Sequence, residues 1–373
     1  MTHDSLNRRD FVGGTAVATA AGLVTGGLGI AEASKTKKNA PPSSRSILNF
    51  NENMEYRRLG KTGLMISAVC LGGHWKRVNK MVPTAFEGNK WLNIDLNNAD
   101  FHKNRYEVVS RCMEVGINYI DACTGEEVQS YARALKGRRD KMYLGYSWYQ
   151  KEPRNKEYRT VAKLMESLDF GLKTAGLDHV DLWRVTLPAD GLPDLAELSR
   201  IEEVTFETLE KARQQGKVRF TGLSTHHRPW LKSVIEQYPK QVQVVCTPYT
   251  ANTKELPTDS VFAAIRKYDV GVFGIKPFAD NALFKGDGSL GGPYQEEDDK
   301  RARLALRYIL GNPAITAPIP GMINTHQVDN AAKAVMERRK LDQQETAELE
   351  QISTEMWANL RPSHQWLRNW EHV

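Results

Sequence analysis

The stretch GINYIDACTGEEVQSYARA, residues 116–134, decides the fold of this chain. A short apolar run ends on an acidic residue, Asp121, and the residues that follow have the spacing of a helix. The stretch therefore predicts a buried strand that passes directly into a helix. Asp121 lies at the carboxyl end of this strand, where an acid serves either a functional site or as the cap of the next helix.

The same alternation of strand and helix recurs along the chain. Short apolar runs predict strands at 66–71, 119–121, 142–146, 179–184, 218–223, 242–246, 271–275 and 315–319. Longer periodic segments between them predict helices, for example at 107–115, 161–175, 206–215 and 302–310. Eight repeats predict an α/β fold, a (β/α)8 TIM barrel, with a doubly wound open sheet as the alternative. Strand-like pieces around a turn signal at 60–63 add an N-terminal β-hairpin.

Charge and cysteine usage limit the classes of partner. The 373-residue chain carries a net charge of +6, but its lysines and arginines are scattered rather than gathered into a stripe. We therefore expect no nucleic-acid partner. The four cysteines form no CxxC pair and have no metal-ligand spacing, so no metal site is expected either.

The N-terminus has a composition of its own. The segment SLNRRDFVGGTAVATAAGLVTGGLGIAEAS pairs Arg8 with Arg9 ahead of a weakly hydrophobic stretch, and it resembles a twin-arginine export signal. We expect residues 1–33 to be this signal, 34–53 to be a disordered linker and 54–373 to be the barrel. The twin-arginine export machinery is then a partner, and the protein is periplasmic or otherwise extracytoplasmic. Because this route carries folded proteins, it favours a cofactor that is bound before export.

Two segments do not fit the strand–helix repeat. Residues 78–101, which include Trp91, form a polar insertion after the first predicted strand. Residues 280–299 form a glycine-rich loop after the seventh. Loops of this length are often lids or binding loops, and disorder is the alternative.

At this point six motifs, in order, resemble the aldo-keto reductase superfamily. They are YRRLGKTGLMISAVCLGG, GINYIDA, ALKGRRDKMYLG, GKVRFTGLS, VGVFGIKPFA and LALRYILGNPAITAPIPGM. The resemblance implies a barrel that binds NAD or NADP in extended form and transfers hydride between the nicotinamide and a carbonyl. It also implies a tetrad of Tyr, Lys, Asp and His, in which the Tyr donates the proton.

Only one member of this tetrad is retained. Asp121 matches the Asp of the family, whereas the Tyr that should follow it is missing, and Ser147 and Thr186 stand where the Lys and the His are expected. A replacement acid must therefore come from elsewhere, and the candidates at strand ends are His74, Tyr149 and Arg184. Arg184 lies two residues before Thr186, on the same face of its strand, where it could pair with Asp121.

The positions that the resemblance assigns to the cofactor are better retained. Ser224 matches the carboxamide contact, with Thr225 in place of the expected Asn, and Tyr249 matches the ring on which the nicotinamide stacks. The remaining positions run along the pyrophosphate and adenosine side, and they are Lys276, Pro277, Gly321, Met322, Asn324, Gln327 and Asn330. No Arg or Lys stands where a 2′-phosphate would be held, so NAD and NADP remain equal alternatives.

Two functions follow as alternatives. The first is an oxidoreductase that transfers hydride between NAD(P) and a carbonyl or alcohol substrate, small or sugar-like, through a non-standard acid. The second is a catalytically inactive barrel that binds a carbohydrate-like ligand outside the cytoplasm. Export in folded form, which supports a dinucleotide retained by the protein, favours the first.

Overall fold

The computed structural model describes residues 46–369, except 89, 91 and 189–193. The predicted signal peptide, most of the predicted linker and Trp91 lie outside these residues. The linker prediction is too long at its end, because residues 46–53 are folded onto the barrel. Asn49 Nδ2 donates to the Lys141 carbonyl at 2.8 Å, and Asn51 Nδ2 donates to the Glu114 carbonyl at 3.1 Å.

A hairpin precedes the main sheet, as predicted. Strand β1 (Tyr56–Arg58) pairs antiparallel with β2 (Met65–Ser67). The backbone N–H of Lys61, in the turn between them, donates to the Asp269 carbonyl at 2.8 Å, just before a barrel strand begins. The hairpin therefore covers the amino-terminal end of the barrel.

The main sheet is parallel and follows chain order. Its strands are β3 (Tyr119–Ala122), β4 (Tyr143–Tyr146), β5 (Val180–Thr186), β6 (Val218–Ser224), β7 (Val244–Pro248), β8 (Gly271–Ile275) and β9 (Ala317–Pro318). Residues 70–72, here called the closing segment, join the two edges. Leu71 pairs with Ile120 on one side, and Gly72 pairs with Gly321 on the other. This closure confirms the (β/α)8 barrel and excludes the open sheet.

The first predicted strand, 66–71, is divided between two elements. Its beginning belongs to β2 and its end to the closing segment, since the chain leaves the hairpin and only then enters the barrel wall.

Helices cover the outside of the barrel. They are α1 (Ala99–Glu114), α2 (Gly125–Ala134), α3 (Val161–Ala175), α4 (Leu195–Gln214), α5 (Arg228–Gln237), α6 (Val261–Lys267), α7 (Gln295–Leu310), α8 (Thr325–Met336) and α9 (Gln343–Ala358). Three of them, α1, α4 and α7, begin 7 to 11 residues before the sequence prediction. Helix α7 begins with the polar residues QEED, and α1 and α4 each begin with two exposed residues, so apolar periodicity does not reveal these starts. The side chains of Asn98 and Asp194 cap α1 and α4.

The barrel interior is apolar at its centre. Tyr119 and Phe273 stack there with ring centroids 4.3 Å apart, and Cys70, Leu182 and Cys246 are buried in the same cluster. This packing closes the barrel below the carboxyl ends of the strands. Polar side chains can therefore meet a cavity only above it, at the carboxyl ends.

The two irregular segments contact each other. The insertion buries Val78 and Ile94 against the barrel. Arg77, at its start, donates to the Gly286 carbonyl at 2.8 Å, and Lys80 pairs with Asp287 at 2.6 Å. The insertion thus holds the loop that precedes α7 over the carboxyl-terminal face. This loop is shorter than the predicted 280–299, because α7 begins at Gln295. Within the described residues, no helix is both long and apolar enough to cross a bilayer.

Candidate active site

Two connected cavities lie at the carboxyl ends of the strands. The central pocket is lined by residues that include Asp121, Tyr149, Arg184, Ser224, His226 and Lys276. The side pocket is lined by residues that include Trp75, Phe284, Asp299, Leu306, Met322 and Gln327. His74, Lys76, Phe278, Asn281, Pro320 and Gly321 line both. The two pockets therefore form one cleft with its junction at His74.

Asp121 and Arg184 form a buried bidentate ion pair at the base of the central pocket. Arg184 Nε donates to Asp121 Oδ1 at 2.8 Å, and Arg184 Nη2 contacts Oδ2. Tyr119 also donates to Oδ1, at 3.3 Å. The pairing proposed from strand parity is present, and a cation again faces the retained Asp, although it comes from β5 rather than β4.

Arg184 is a fixed charge. Burial disfavours its protonated form and is the largest single effect, but the charge and hydrogen bond of Asp121, together with Cys123 and Cys246, outweigh burial and raise the pKa of Arg184 well above its usual value. A guanidinium that does not titrate cannot donate a proton near neutrality. This is evidence against Arg184 as the replacement acid, and it leaves a positioning or electrostatic role.

A buried carboxylate, Glu152, occupies the region of the two lost tetrad positions. Its Oε2 accepts from Ser147 Oγ at 2.6 Å and from the Thr186 backbone N–H at 2.7 Å. Its Oε1 accepts from Trp183 Nε1 and from the Trp148 backbone N–H, both at 3.0 Å. Burial raises the pKa of Glu152 despite these bonds. Ser147 and Thr186, which are 3.0 Å apart, are thus held by a structural network.

His74 is oriented by a second buried carboxylate, Glu127. The imidazole Nδ1 lies 2.7 Å from Glu127 Oε1, and the His74 backbone N–H contacts the same oxygen. Although burial raises the pKa of Glu127, the charge and hydrogen bonds of His74 lower it overall. The His74 side chain remains 38% exposed, so its ring reaches the cleft. Glu127 lies in the first turn of α2, where an acid is common for its interaction with the helix dipole, and the sequence carries no signal of its contact with His74.

Tyr149 lines the central pocket but is a poor acid there. Burial, followed by the Cys123 thiol, raises the pKa of its phenol above the usual value, and Arg154, 5.5 Å from the ring centroid, lowers it only in part. An acid whose pKa moves away from neutrality donates less readily. Of the three proposed acids, only His74 keeps geometry that suits proton transfer.

The residues after β6 have separate roles. Ser224 lines the central pocket, as expected for a carboxamide contact. The Thr225 hydroxyl donates to the Pro188 carbonyl at 3.2 Å and does not line the pocket. His227 caps α5, with Nδ1 accepting from the Trp230 backbone N–H at 3.2 Å. His226 lines the pocket, and its buried Nδ1 has no partner within the described structure.

Tyr249 differs from its predicted role. It is 4% exposed, packs edge-on against Phe262 and accepts a hydrogen bond from Asn312 Nδ2 at 3.1 Å. The structure does not bring its ring to the wall of the cleft, so no face is open for a nicotinamide to stack on. Tyr249 stands at the strand end that the family resemblance assigns to it, but strand position alone does not give the direction of its side chain.

The predicted adenosine-side residues surround the side pocket unevenly. Met322, Gln327 and Asn330 line it, and Asn324 instead caps α8 by accepting from the Gln327 backbone N–H at 2.8 Å. The Asn330 amide is also engaged, because Arg303 donates to it at 2.7 Å and it donates to the Asp299 carbonyl at 3.0 Å.

Lys276, Pro277 and Gly321 line the central pocket. Lys276 and His74 both have a φ of 57°, in the left-handed region. Residues with side chains seldom adopt this conformation, and it is found preferentially at functional sites. Gly321 must lack a side chain, since a Cβ there would lie 2.5 Å from the Gly73 carbonyl oxygen.

A C-terminal segment, Pro362–Asn369, packs onto the central pocket and was not anticipated. Trp366 stacks on His226 with centroids 4.2 Å apart, and the Lys276 ammonium lies 5.9 Å from the Trp366 ring. His364 and Arg361 approach Asp280, which also pairs with Lys76. The composition of the segment Pro362–Asn369 carries no signal that it packs onto the pocket, because the segment follows a helix end and lacks strand or helix periodicity.

The cleft suits a dinucleotide in part. An apolar side pocket can receive a planar base, and Ser224, Pro277 and Gly321 lie along the path to the central pocket. Tyr249 does not contribute a stacking face, and the Asn330 amide is already bonded. No group of three or more His, Cys, Asp or Glu residues arranged to hold a metal occurs among the residues described.

Comparisons with known proteins agree with this architecture. The aldo-keto reductase AKR11C1 from Bacillus halodurans, in its holo form, superimposes with a TM-score of 0.56 at 21% identity, covering 84% of this chain and 99% of that protein. An uncharacterized oxidoreductase, YqkF, from Bacillus subtilis (strain 168) is 23% identical over 322 residues, which is 78% of this chain and 94% of that protein. These similarities establish the fold.

Two further relatives carry names that include a sugar. L-galactose dehydrogenase from Arabidopsis thaliana is 25% identical, and 6-dehydroglucose reductase from Agrobacterium fabrum (strain C58 / ATCC 33970) is 27% identical. Each match covers 52% of this chain and 65% of the relative. The sequence profile of the Aldo/keto reductase family matches residues 97–354, and the chain therefore belongs to this family.

Proposed function

We propose that the protein is an NAD(P)-dependent oxidoreductase that interconverts a small, sugar-like carbonyl compound and its alcohol, with His74 as the acid–base group. One observation carries this proposal. The His74–Glu127 pair lies at the junction of the two pockets, in a family whose chemistry needs an acid at that cleft. The names of two relatives support a sugar-like substrate.

The dinucleotide, when bound, supplies or accepts the hydride. We propose that the side pocket holds its adenosine end and that Ser224, Pro277 and Gly321 line the path of the other end. The chain's own residues must then position the carbonyl, exclude water and manage one proton.

His74 can move this proton because Glu127 holds its Nδ1 side. A carboxylate that accepts from Nδ1 fixes the tautomer and the orientation of the ring. The imidazole would then donate a proton to a carbonyl oxygen during reduction and take one from an alcohol during oxidation. The buried Arg184–Asp121 pair adds a fixed guanidinium near the developing oxyanion.

The alternative, an inactive barrel that binds a carbohydrate-like ligand, is favoured by one observation. Glu152 engages both Ser147 and Thr186, so the lost Lys and His positions are built into a structural network. Under this alternative the cleft would bind a sugar without turnover, and His74 would contact the ligand only.

Replacing His74 with glutamine should lower kcat by about 10²–10⁴-fold, the usual contribution of a positioned acid or base. Glu127→Gln should lower kcat less and shift the pH–rate profile, since it changes only the partner of His74. Turnover would be measured on a panel of aldoses and keto sugars with NADH and with NADPH. His179→Gln, at an exposed site, is the control.

Dinucleotide binding separates the two hypotheses. Fluorescence titration with NADH and NADPH should show saturable binding to the parent and to His74→Gln alike. If neither dinucleotide binds while sugars do, the inactive barrel is correct. If a dinucleotide binds and kcat is the same in parent and His74→Gln, the acid–base role is wrong.

We also propose that the protein is exported by the twin-arginine route to the periplasm or another extracytoplasmic space. The paired arginines and the weakly hydrophobic stretch after them support this proposal. Loading of the cofactor before export would follow, because the route transports folded proteins.

Conservative replacement of both arginines, Arg8→Lys with Arg9→Lys, should abolish export and leave the full-length precursor in the cytoplasm. Fractionation followed by immunoblotting measures this directly. Lys37→Arg with Lys38→Arg is the matched control, because it changes two neighbouring cations beyond the signal. If the double-lysine variant were exported as well as the parent protein, the twin-arginine assignment would be contradicted.

A further inference from the structure

The two pockets differ in charge. Among the described residues that line the central pocket, Lys76, Arg154, Arg184 and Lys276 are cationic, and Asp121 and Asp280 are carboxylates. The central pocket thus has an excess of two positive charges before any histidine is considered. In the side pocket the cations Lys76 and Arg77 are matched by Asp298 and Asp299. The positive excess is confined to the pocket that would hold the substrate.

The carboxylates of the central pocket are already paired. Asp121 is engaged on both oxygens by Arg184. Asp280 is shared by Lys76, Arg361 and His364. Within the described part of the chain, the Lys276 ammonium forms no hydrogen bond or ion pair, and it lies against the Trp366 ring.

His226 provides a second unsatisfied group beside Lys276. Its Nδ1 is buried and has no hydrogen-bond partner in the described structure. Burial is the main reason that its pKa lies well below the usual value, and the charges of Lys276 and Arg154 lower it further. The ring is therefore neutral and offers a hydrogen bond rather than a charge.

These groups come from opposite walls of the barrel. Arg154 follows β4, His226 follows β6 and Lys276 follows β8, and in an eight-membered ring β4 and β8 lie across from each other. A ligand that reaches all three is centred over the mouth. The proposed path of the cofactor passes Ser224 and Pro277 and therefore borders this position, so the test below must separate a substrate anion from the cofactor.

We propose that the central pocket binds a substrate carrying an anionic group, a carboxylate or phosphoryl group, which Lys276 and His226 receive beneath Trp366 with Arg154 at the exposed rim. The inference rests on the proposed function and specifies its substrate class as an acidic carbonyl compound. The pyrophosphate of the dinucleotide is another anionic group that could bind the same side chains, and the test distinguishes it from a substrate anion.

Binding is measured by calorimetry on the mature chain in a buffer free of phosphate and carboxylate. The probes are glucuronate, pyruvate and inorganic phosphate, with glucose and pyruvamide as neutral counterparts. At least one anion should bind while its neutral counterpart does not. Lys276→Met should weaken that binding by about tenfold to a hundredfold, the range for one hydrogen bond to a charged group. Lys276→Arg should retain it, and Lys267→Met, an exposed cation elsewhere, should have no effect.

The pH dependence provides a separate readout. Burial lowers the pKa of Lys276 to about 8, with further effects from Lys76, Asp280, Cys123 and Arg154. The protonated form predominates below this pH, so anion affinity should fall as pH rises through about 8 in the parent. It should persist in Lys276→Arg, whose guanidinium stays charged.

Each outcome decides the proposal. Anion binding that is unaffected by saturating NADH and lost in Lys276→Met supports a substrate site. If anions compete with NADH and Lys276→Met binds NADH more weakly, Lys276 binds the pyrophosphate of the cofactor and not the substrate. This result would overturn the proposal. Absence of anion binding would overturn it as well. If anions bind and no dinucleotide does, the proposed oxidoreductase function fails while the anion site stands.

Discussion

Arg184→Met is expected to lower the free energy of unfolding by about 3–5 kcal/mol, the cost of leaving a buried charge without its partner. Arg184 and Asp121 are 2% and 4% exposed and are joined by two parallel hydrogen bonds. Removal of the guanidinium leaves the Asp121 carboxylate in an apolar barrel, where the Tyr119 hydroxyl is its one remaining side-chain donor among residues 46–369 as described. Urea denaturation of parent and variant measures the difference.

The double variant Asp121→Asn with Arg184→Met provides the matched control. Removing both charges together should recover much of the loss, because a buried ion pair is often close to neutral against uncharged replacements. Both variants should have much lower catalytic activity than the parent if the guanidinium stabilises the oxyanion. If Arg184→Met were as stable as the parent, the Arg184–Asp121 pair would have to be solvated or its two groups uncharged.

Glu152→Ala is the second substitution from which we expect a large loss of unfolding free energy. It removes the acceptor of four hydrogen bonds, from Ser147, Trp148, Trp183 and Thr186. Since each buried donor left unsatisfied costs about 1–3 kcal/mol, we expect a total of roughly 3 kcal/mol or more after relaxation. Glu157→Ala, an exposed carboxylate in the same loop, is the control. Equal unfolding midpoints for the two variants would contradict the network.

The pH dependence of Glu152→Gln tests the same network without a cavity. Burial raises the pKa of Glu152, so the folded state favours its protonated form more than the unfolded state does. The parent should therefore lose a contribution to stability as the pH rises from the ordinary carboxyl range through this raised pKa. Glu152→Gln lacks a titrating group and should not show this loss.

The barrel could be predicted from the sequence because its signals are local. Short apolar runs and periodic segments alternate, and each strand or helix is recognisable from its own residues. Helix starts were missed where the first residues are exposed, as in α1 and α4, although the capping residues Asn98 and Asp194 were visible signals. The position of Asp121 was predictable for the same local reason.

The candidate site could be predicted only in part. Strand parity correctly brought Arg184 to Asp121, since alternation is a property of a single strand. Glu127 and Glu152 were missed because an acid in a turn or helix start resembles an exposed residue. The turn of Tyr249 away from the cleft depends on the packing of Phe262 and Asn312, which come from other parts of the chain.

The sequence by itself determined the strand–helix order and the family resemblance, and it predicts the loss of the usual Tyr, Lys and His. Only the tertiary structure decided which side chains meet at the cleft. His74 meets Glu127 across 53 residues, and Trp366 reaches His226 from the C-terminal segment. Such contacts depend on how strands are staggered and where loops return. No local pattern specifies these features, because they arise from packing the whole barrel at once.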